Sequence, residues 1–147
     1  MKTLIRMIAT FFFIGEKTPA PGTVVSILTA LIYFIFLPVN HSFYWTMLIL
    51  LTFIGVITAG KTEEMMDEID PPSVVIDEVV GFLIAMAFLP KTFGLTLLGL
   101  ILFRVLDISK VYPMNKLEIV PGGLGIMLDD IYAGLITNLI LRVIHII

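Results

Sequence analysis

Apolar residues gather in five runs along this chain, at residues 23–38, 43–59, 79–89, 93–106 and 131–147. No Asp, Glu, Lys or Arg stands between residues 22 and 60, and Pro38-Val39-Asn40-His41-Ser42 divides that stretch in two. A helix crossing a bilayer needs about 20 apolar residues, with some tolerance. Each run falls slightly short, which implies tilt, local thinning or interfacial burial of the ends. Pro90-Lys91-Thr92 separates the third run from the fourth, and the polar segment 61–72 joins the second to the third. The longer connection 108–128 joins the fourth to the fifth, with Pro113, Pro121, Gly122, Gly123 and Gly125 as breakers. Asp77-Glu78 is expected to form the first turn of the third helix. Tyr44 and Trp45 read as interfacial anchors. Upstream, Leu4, Ile5, Ile8, Phe11 and Phe12 follow helical spacing and predict a helix lying in the interface. Its basic start imitates a signal peptide, but Gly15-Glu16-Lys17-Thr18 makes a poor cleavage site. The pattern predicts a single all-α domain over residues 1–147. It is a multi-pass helical membrane protein, with about five apolar helices plus an N-terminal interfacial helix.

Composition supports this reading. Hydrophobic residues make up 59% of the chain, against roughly 45–50% in soluble domains. Threading the five runs alternately through a bilayer puts all 12 acids on one side. Lys2, Arg6, Lys17, Lys61, Arg104, Lys110 and Lys116 join them, while Lys91 and Arg142 fall on the other side. The excess of bases makes the crowded side cytoplasmic. His41 and His145 lie on the far side and are poor catalytic candidates. A net charge of -3 argues against nucleic acid as a partner. The absence of cysteine excludes disulfides, thiolate metal sites and cysteine nucleophiles.

Candidate chemistry lies in the acids. Asp77-Glu78 and Asp129-Asp130 each stand at the threshold of an apolar run, where bare carboxylates are costly and repel one another. Asp77 has Gly81 at i+4, and Asp130 has Gly134, so each acid shares a helix face with bare backbone. That leaves room for a metal, a phosphate or another helix. Capping and close helix packing account for one such pair; two echoing pairs plus Asp107 favour a site. Arg104, Asp107 and Lys110 are spaced by three along one helix side, so a base there can hold an anion. Asp77, Glu78, Asp107, Asp129 and Asp130 together must share protons or bind cations. Oxygen-only ligands suit a hard cation, Mg²⁺ above all. One acid of each pair is expected to face the metal. Lys17-Thr18-Pro19-Ala20-Pro21-Gly22-Thr23 and the glycine run at 121–125 could each position a phosphate, and each is equally ordinary turn chemistry. The acidic run from Glu63 to Glu68 reads as a solvated helix face.

The segments Val74-Val75-Ile76-Asp77-Glu78-Val79-Val80-Gly81-Phe82, Phe103-Arg104-Val105-Leu106-Asp107-Ile108-Ser109-Lys110 and Gly122-Gly123-Leu124-Gly125-Ile126-Met127-Leu128-Asp129-Asp130, with Pro21-Gly22-Thr23, resemble the phosphatidylglycerophosphatase A family in order and spacing. The resemblance implies a Mg²⁺-requiring bacterial enzyme that converts phosphatidylglycerophosphate to phosphatidylglycerol in phospholipid biosynthesis. Its phosphomonoester hydrolysis would face the cytoplasm from the inner membrane. By motif, Asp77, Glu78, Asp107, Lys110, Asp129 and Asp130 are its catalytic candidates, and Thr23, Arg104 and Lys110 its phosphate binders. Asp77, Asp107, Asp129, Asp130 and Glu64 are its metal ligands; Asp70-Pro71 also matches the lead into the Asp-Glu motif. The chain departs from the family at Val111, where a proline is usual, and at Val25, where a glycine is common. The competing reading is a small membrane cation transporter or channel subunit that uses the carboxylates as an ion site. That reading expects acids near the bilayer midplane, whereas these sit at the ends of the runs. The residue pattern of a CDP-alcohol phosphotransferase is missing.

Overall fold

The apolar runs fold as helices, and the computed structural model, which describes residues 1–37, 40–109 and 120–146, holds no strand among them. In order these are α1 (Lys2–Ala9), α2 (Ile14–Lys17), α3 (Pro21–Phe36), α4 (His41–Met66), α5 (Ile76–Met86), α6 (Phe93–Ser109) and α7 (Gly123–Ile146). Two of them, α4 and α7, are long and apolar enough to cross a membrane. The expected count of five such helices is not confirmed, because α3, α5 and α6 have 16, 11 and 17 residues.

The centre of the bundle is α5. Ile76, Val79, Val80, Phe82, Leu83, Ala85 and Met86 are all buried, so the helix is apolar nearly all round, as a core helix must be. It packs against α3, α4, α6 and most extensively α7. The α5–α7 approach depends on the two glycines that follow the acids. A Cβ on Gly134 would overlap the Gly81 carbonyl oxygen. One on Gly81 would stand 2.7 Å from the Asp130 carbonyl oxygen and 2.7 Å from a Phe103 ring carbon. These glycines therefore serve close backbone packing. Of the three expected occupants of that space, a metal, a phosphate or another helix, it is another helix that fills it.

A second glycine contact sets the start of α7. A Cβ on Gly60 would meet the Gly123 nitrogen at 2.8 Å, so α4 and α7 touch backbone to backbone. Held there, the chain turns at Gly122 (φ +77), whose carbonyl accepts from the Gly125 and Ile126 N–H groups at 2.9 and 3.3 Å. The glycine run thus enters the helix, and α7 begins at Gly123 rather than at residue 131. Asp129-Asp130 consequently sit inside α7, beyond its first turn. Likewise α4 runs on to Met66, absorbing half of the expected polar connection, and stops at Asp67 in the left-handed region (φ 53).

The opposite end of the bundle is closed by polar side chains. Asn138 Nδ2 donates to the Ala85 and Ala87 carbonyls, each at 2.9 Å, and Arg142 Nη2 to Ala87 O at 3.1 Å. Lys91 Nζ donates to Leu37 O at 2.8 Å. These bonds satisfy carbonyls that helix ends leave unpaired. Tyr44 is buried, its hydroxyl donating to Leu83 O at 2.5 Å, so it is a core residue and not the expected interfacial anchor. At the N-terminus the helical spacing stops early. Phe11, Phe12 and Phe13 have φ of 45, 58 and 64, so α1 ends before them. The Val75 N–H donates to Ala9 O at 2.9 Å, tying this segment to the residue that precedes α5.

Gly134→Ala is the direct test of the α5–α7 contact. The atom in its way is backbone and cannot swing aside, so an overpacking loss of about 1–3 kcal/mol is expected. It should read as a lower melting temperature in detergent. Gly94→Ala, with nothing within 4 Å of the added Cβ, is the control and should melt no lower than the parent.

Candidate functional site

Four helices deliver polar groups to one end of the bundle. The first turn of α5 supplies Asp77 and Glu78, and α7 supplies Asp130. Arg104 and Asp107 come from the last turns of α6, and Gly22 and Thr23 from the start of α3. Carboxylate oxygens of Asp77, Glu78 and Asp130 lie within 4.8 Å of one another. Asp77 is 9% and Asp130 2% exposed. Asp77 Oδ1, Glu78 Oε2 and Asp130 Oδ2 are buried with no hydrogen-bond partner among the described residues. Asp107 acts electrostatically on both Glu78 and Asp130.

Arg104 is the cation that meets this charge. Its Nη1 lies 2.6 Å from Asp107 Oδ2 and 3.6 Å from Glu78 Oε1. Its Nη2 donates to Thr23 Oγ1 at 3.4 Å, and its Nε is buried without a partner among the described residues. Among the described residues, one guanidinium faces the carboxyl groups of Asp77, Glu78, Asp107 and Asp130. Buried carboxyl groups persist when they are protonated, paired or bound to a cation. The orphaned oxygens therefore fit a hard, oxygen-seeking ion.

The two acid pairs differ. Both Asp77 and Glu78 enter the cluster. Asp129 and Asp130 point apart, as neighbours about 100° around a helix must. Asp129 Oδ1 accepts the Asp130 N–H at 3.0 Å. Asp129 acts electrostatically on Asp77 and also borders a cavity of about 380 Å³ with Glu63, Asp70 and Gly122. Glu64 is exposed on α4 and borders an open depression with Lys61, Asp67 and Glu68, away from the cluster. Lys110 lies outside the described residues. Of the stretch 17–23, Thr18 folds back onto Ile14 O at 3.0 Å, while Gly22 and Thr23 meet the cluster.

Sequence reasoning missed the part played by Gly22. A Cβ there would overlap Glu78 Oε1 and stand 3.1 Å from Arg104 Nη1, so the bare backbone seats this ion pair. The signal was present in Pro21-Gly22-Thr23, which reads as a phosphate turn when the partner from α5 is unknown.

Carboxyl groups of Asp77, Glu78 and Asp130, close enough to hold a metal ion, thus meet an arginine and a hydroxyl at one end of a helical bundle. The chain belongs to the phosphatidylglycerophosphatase A family, whose sequence model matches residues 7–145. By that membership it is a phosphatase, a phosphoric monoester hydrolase. A Bacteroides thetaiotaomicron protein provisionally named a phosphatidylinositol-3-phosphatase is 34% identical, over 93% of this chain and 91% of the relative. The Escherichia coli Phosphatidylglycerophosphatase A is 32% identical over 89% of this chain and 77% of the relative. Its Haemophilus influenzae namesake is 33% identical over 89% and 82%. No solved structure matches the chain. The transporter reading finds no support among these relatives.

Gly22→Ala should separate site geometry from stability. The obstructing atom is the tip of a flexible side chain, so Glu78 moves and the fold survives; helix propensity even favours Ala by up to about 1 kcal/mol. Displacing a group that supports a metal or charge site typically costs about 10–100-fold. The expected result is a loss of phosphatase turnover in that range at an unchanged melting temperature. Turnover equal to the parent would detach Glu78 from the chemistry.

Proposed function

We propose that this chain is a Mg²⁺-dependent lipid phosphatase that hydrolyses phosphatidylglycerophosphate to phosphatidylglycerol and inorganic phosphate. In this reading it is a multi-pass protein of a bacterial inner membrane, and its site faces the cytoplasm. The observation that carries the proposal is the set of orphaned, buried oxygens on Asp77, Glu78 and Asp130 beside Arg104 and Thr23. Several features favour the membrane placement. Large apolar residues such as Ile35, Phe53, Ile101 and Leu139 face outward on α3, α4, α6 and α7, a surface that suits lipid. With 11 residues, α5 reaches about 16 Å, about half of a ~30 Å hydrocarbon core. Its neighbours bury it, so it does not need to reach lipid. Exposed Leu4 and Phe12, next to Lys2 and Arg6, suit an N-terminal segment lying in the interface.

Asp77, Glu78 and Asp130 would hold the Mg²⁺, with Asp107 and Asp129 next to them. Bound there, the ion supplies charge neutralisation at the phosphate and lowers the pKa of a water. Arg104 and the Thr23 hydroxyl bind and orient the terminal phosphate, and Lys110 joins them by family resemblance. Arg104 also stabilises charge developing on the phosphate oxygens. A carboxylate at the margin of the cluster, Asp107 or Asp129, accepts the proton of the attacking water. The diacylglycerol part remains in the lipid. Phosphatidylinositol 3-phosphate is a second candidate substrate, because the Bacteroides thetaiotaomicron relative carries that activity in its name. The two lipids present the same phosphomonoester to the same groups.

Phosphate release from each lipid, with Mg²⁺ and with chelator, tests the proposal. Release is expected from phosphatidylglycerophosphate and is expected to stop on chelation. Asp77→Asn and Asp130→Asn should each lower kcat by about a thousandfold, or about 4 kcal/mol of barrier. Glu64→Gln should turn over like the parent. Full activity in Asp130→Asn, or release that ignores chelation, would remove the proposed metal site.

A further inference from the structure

The seam of α4 and α7 carries a groove of about 700 Å³, which α5 helps to floor. Its wall is apolar from Leu124 through Ile131 and Leu135, and Trp45 and Arg142 stand at the end away from the carboxylates. Those α7 positions recur at helical spacing and share one face. None of the clustered acids lines the groove. Among the described residues, Arg142 is the one cation that lines it. The guanidinium donates from Nε to Asn138 Oδ1 at 2.7 Å and from Nη2 to Ala87 O at 3.1 Å. No carboxylate pairs with it among the described residues, where the ion pairs all belong to Arg6 or Arg104. A cation held at the edge of an apolar groove without a counter-charge favours an anion at that point.

Phe88 marks the same place. Its φ of 60 is in the left-handed region, a strain of about 1–3 kcal/mol that persists where function or packing fixes it. The ring lies 5.1 Å from Trp45, 5.2 Å from His41 and 5.9 Å from the Arg142 guanidinium. The strained residue thus builds an aromatic wall beside the cation.

We propose that this groove binds an anionic phospholipid from the leaflet opposite the carboxylates. Its phosphate meets Arg142, and one acyl chain lies between α4 and α7. The inference rests on the membrane placement proposed above, not on the catalytic reading. Arg142 and Ile131 are 11 residues apart, about 16 Å along the helix, the depth of one leaflet of a ~30 Å core, and the groove continues beyond that depth to Leu124. A zwitterionic lipid brings the same tail, but its amine opposes the guanidinium. A second copy related by a two-fold axis would bring an identical cationic surface.

Trp45 is the only tryptophan in the chain, so its emission reports on the groove. The full chain is reconstituted in phosphatidylcholine nanodiscs containing equal mole fractions of acyl-brominated phosphatidylserine or acyl-brominated phosphatidylcholine. Quenching by the anionic lipid should indicate local enrichment of about fivefold, the worth of one cation near an anionic headgroup. Arg142→Gln should erase the preference and Arg142→Lys should keep it. Leu135→Phe narrows the groove at an exposed position and should weaken quenching by brominated phosphatidylserine. Equal quenching by both lipids in the parent overturns the proposal, as does a preference that survives Arg142→Gln or quenching unmoved by Leu135→Phe. Absence of quenching by either lipid overturns it together with the membrane placement. Phosphatase activity, assayed on the same samples, reports separately on the catalytic reading.

Discussion

The approach of α5 to α7 is the contact on which the rest of the molecule depends. Inside a bilayer apolar burial gives helices little reason to associate, and close packing through small residues takes its place. Gly81 and Gly134 provide that closeness, backbone against backbone. The same contact sets Asp130 against Asp77 and Glu78. Two like charges about 4 Å apart repel by about 4 kcal/mol at an effective dielectric of 20. That is comparable with the loss expected from a serious packing defect, so the contact cannot carry the repulsion by itself. Arg104, held by Asp107 and Thr23, supplies part of the compensation.

Helix polarity explains why the charges are segregated as they are. The N-terminus of a helix carries a partial positive charge and the C-terminus a partial negative one. Asp77 and Glu78 occupy the first turn of α5, where that field favours carboxylates. At the other end of α5, Arg142 and Asn138 donate to its last carbonyls, and Lys91 does the same for α3. The two bases that threading puts on the far side therefore have a structural use there. The short central helix ends on donors rather than on lipid, and this allows it to stop at 11 residues.

The all-helical class, the break at 90–92 and the placing of Asp77-Glu78 in a first turn were all legible in the sequence. These depend on apolar runs and punctuation, which are local. What was misread depends on partners. Gly122, Gly123 and Gly125 are breakers by propensity, yet Gly123 opens α7 because it must lie against Gly60. Tyr44 resembles an interfacial anchor until Leu83 O is found beside its hydroxyl. Glu64 and Glu63 are adjacent in an acidic run, and only the direction of α4 decides that Glu63, not Glu64, borders the cavity with Asp129. Gly22 shows the same limit from the other side, as a motif visible in sequence whose partner, Glu78, comes from another helix.

Charge also constrains the order of events in the proposed reaction. A phosphate monoester approaching this end of the bundle meets Asp77, Glu78, Asp107 and Asp130, with Arg104 already engaged to Asp107 and Thr23. Unaided, the anion would be repelled by the groups that must act on it. A divalent ion held by Asp77, Glu78 and Asp130 would offset two of those charges and would have positions open to phosphate oxygens. Each therefore improves the binding of the other, and linkage requires the improvement to be equal in both directions. In the proposed reaction, the excess of carboxylate charge would thus make the site depend on its ion. An arginine-rich pocket of the same shape would bind the phosphate alone, but it would hold no ion to acidify the attacking water.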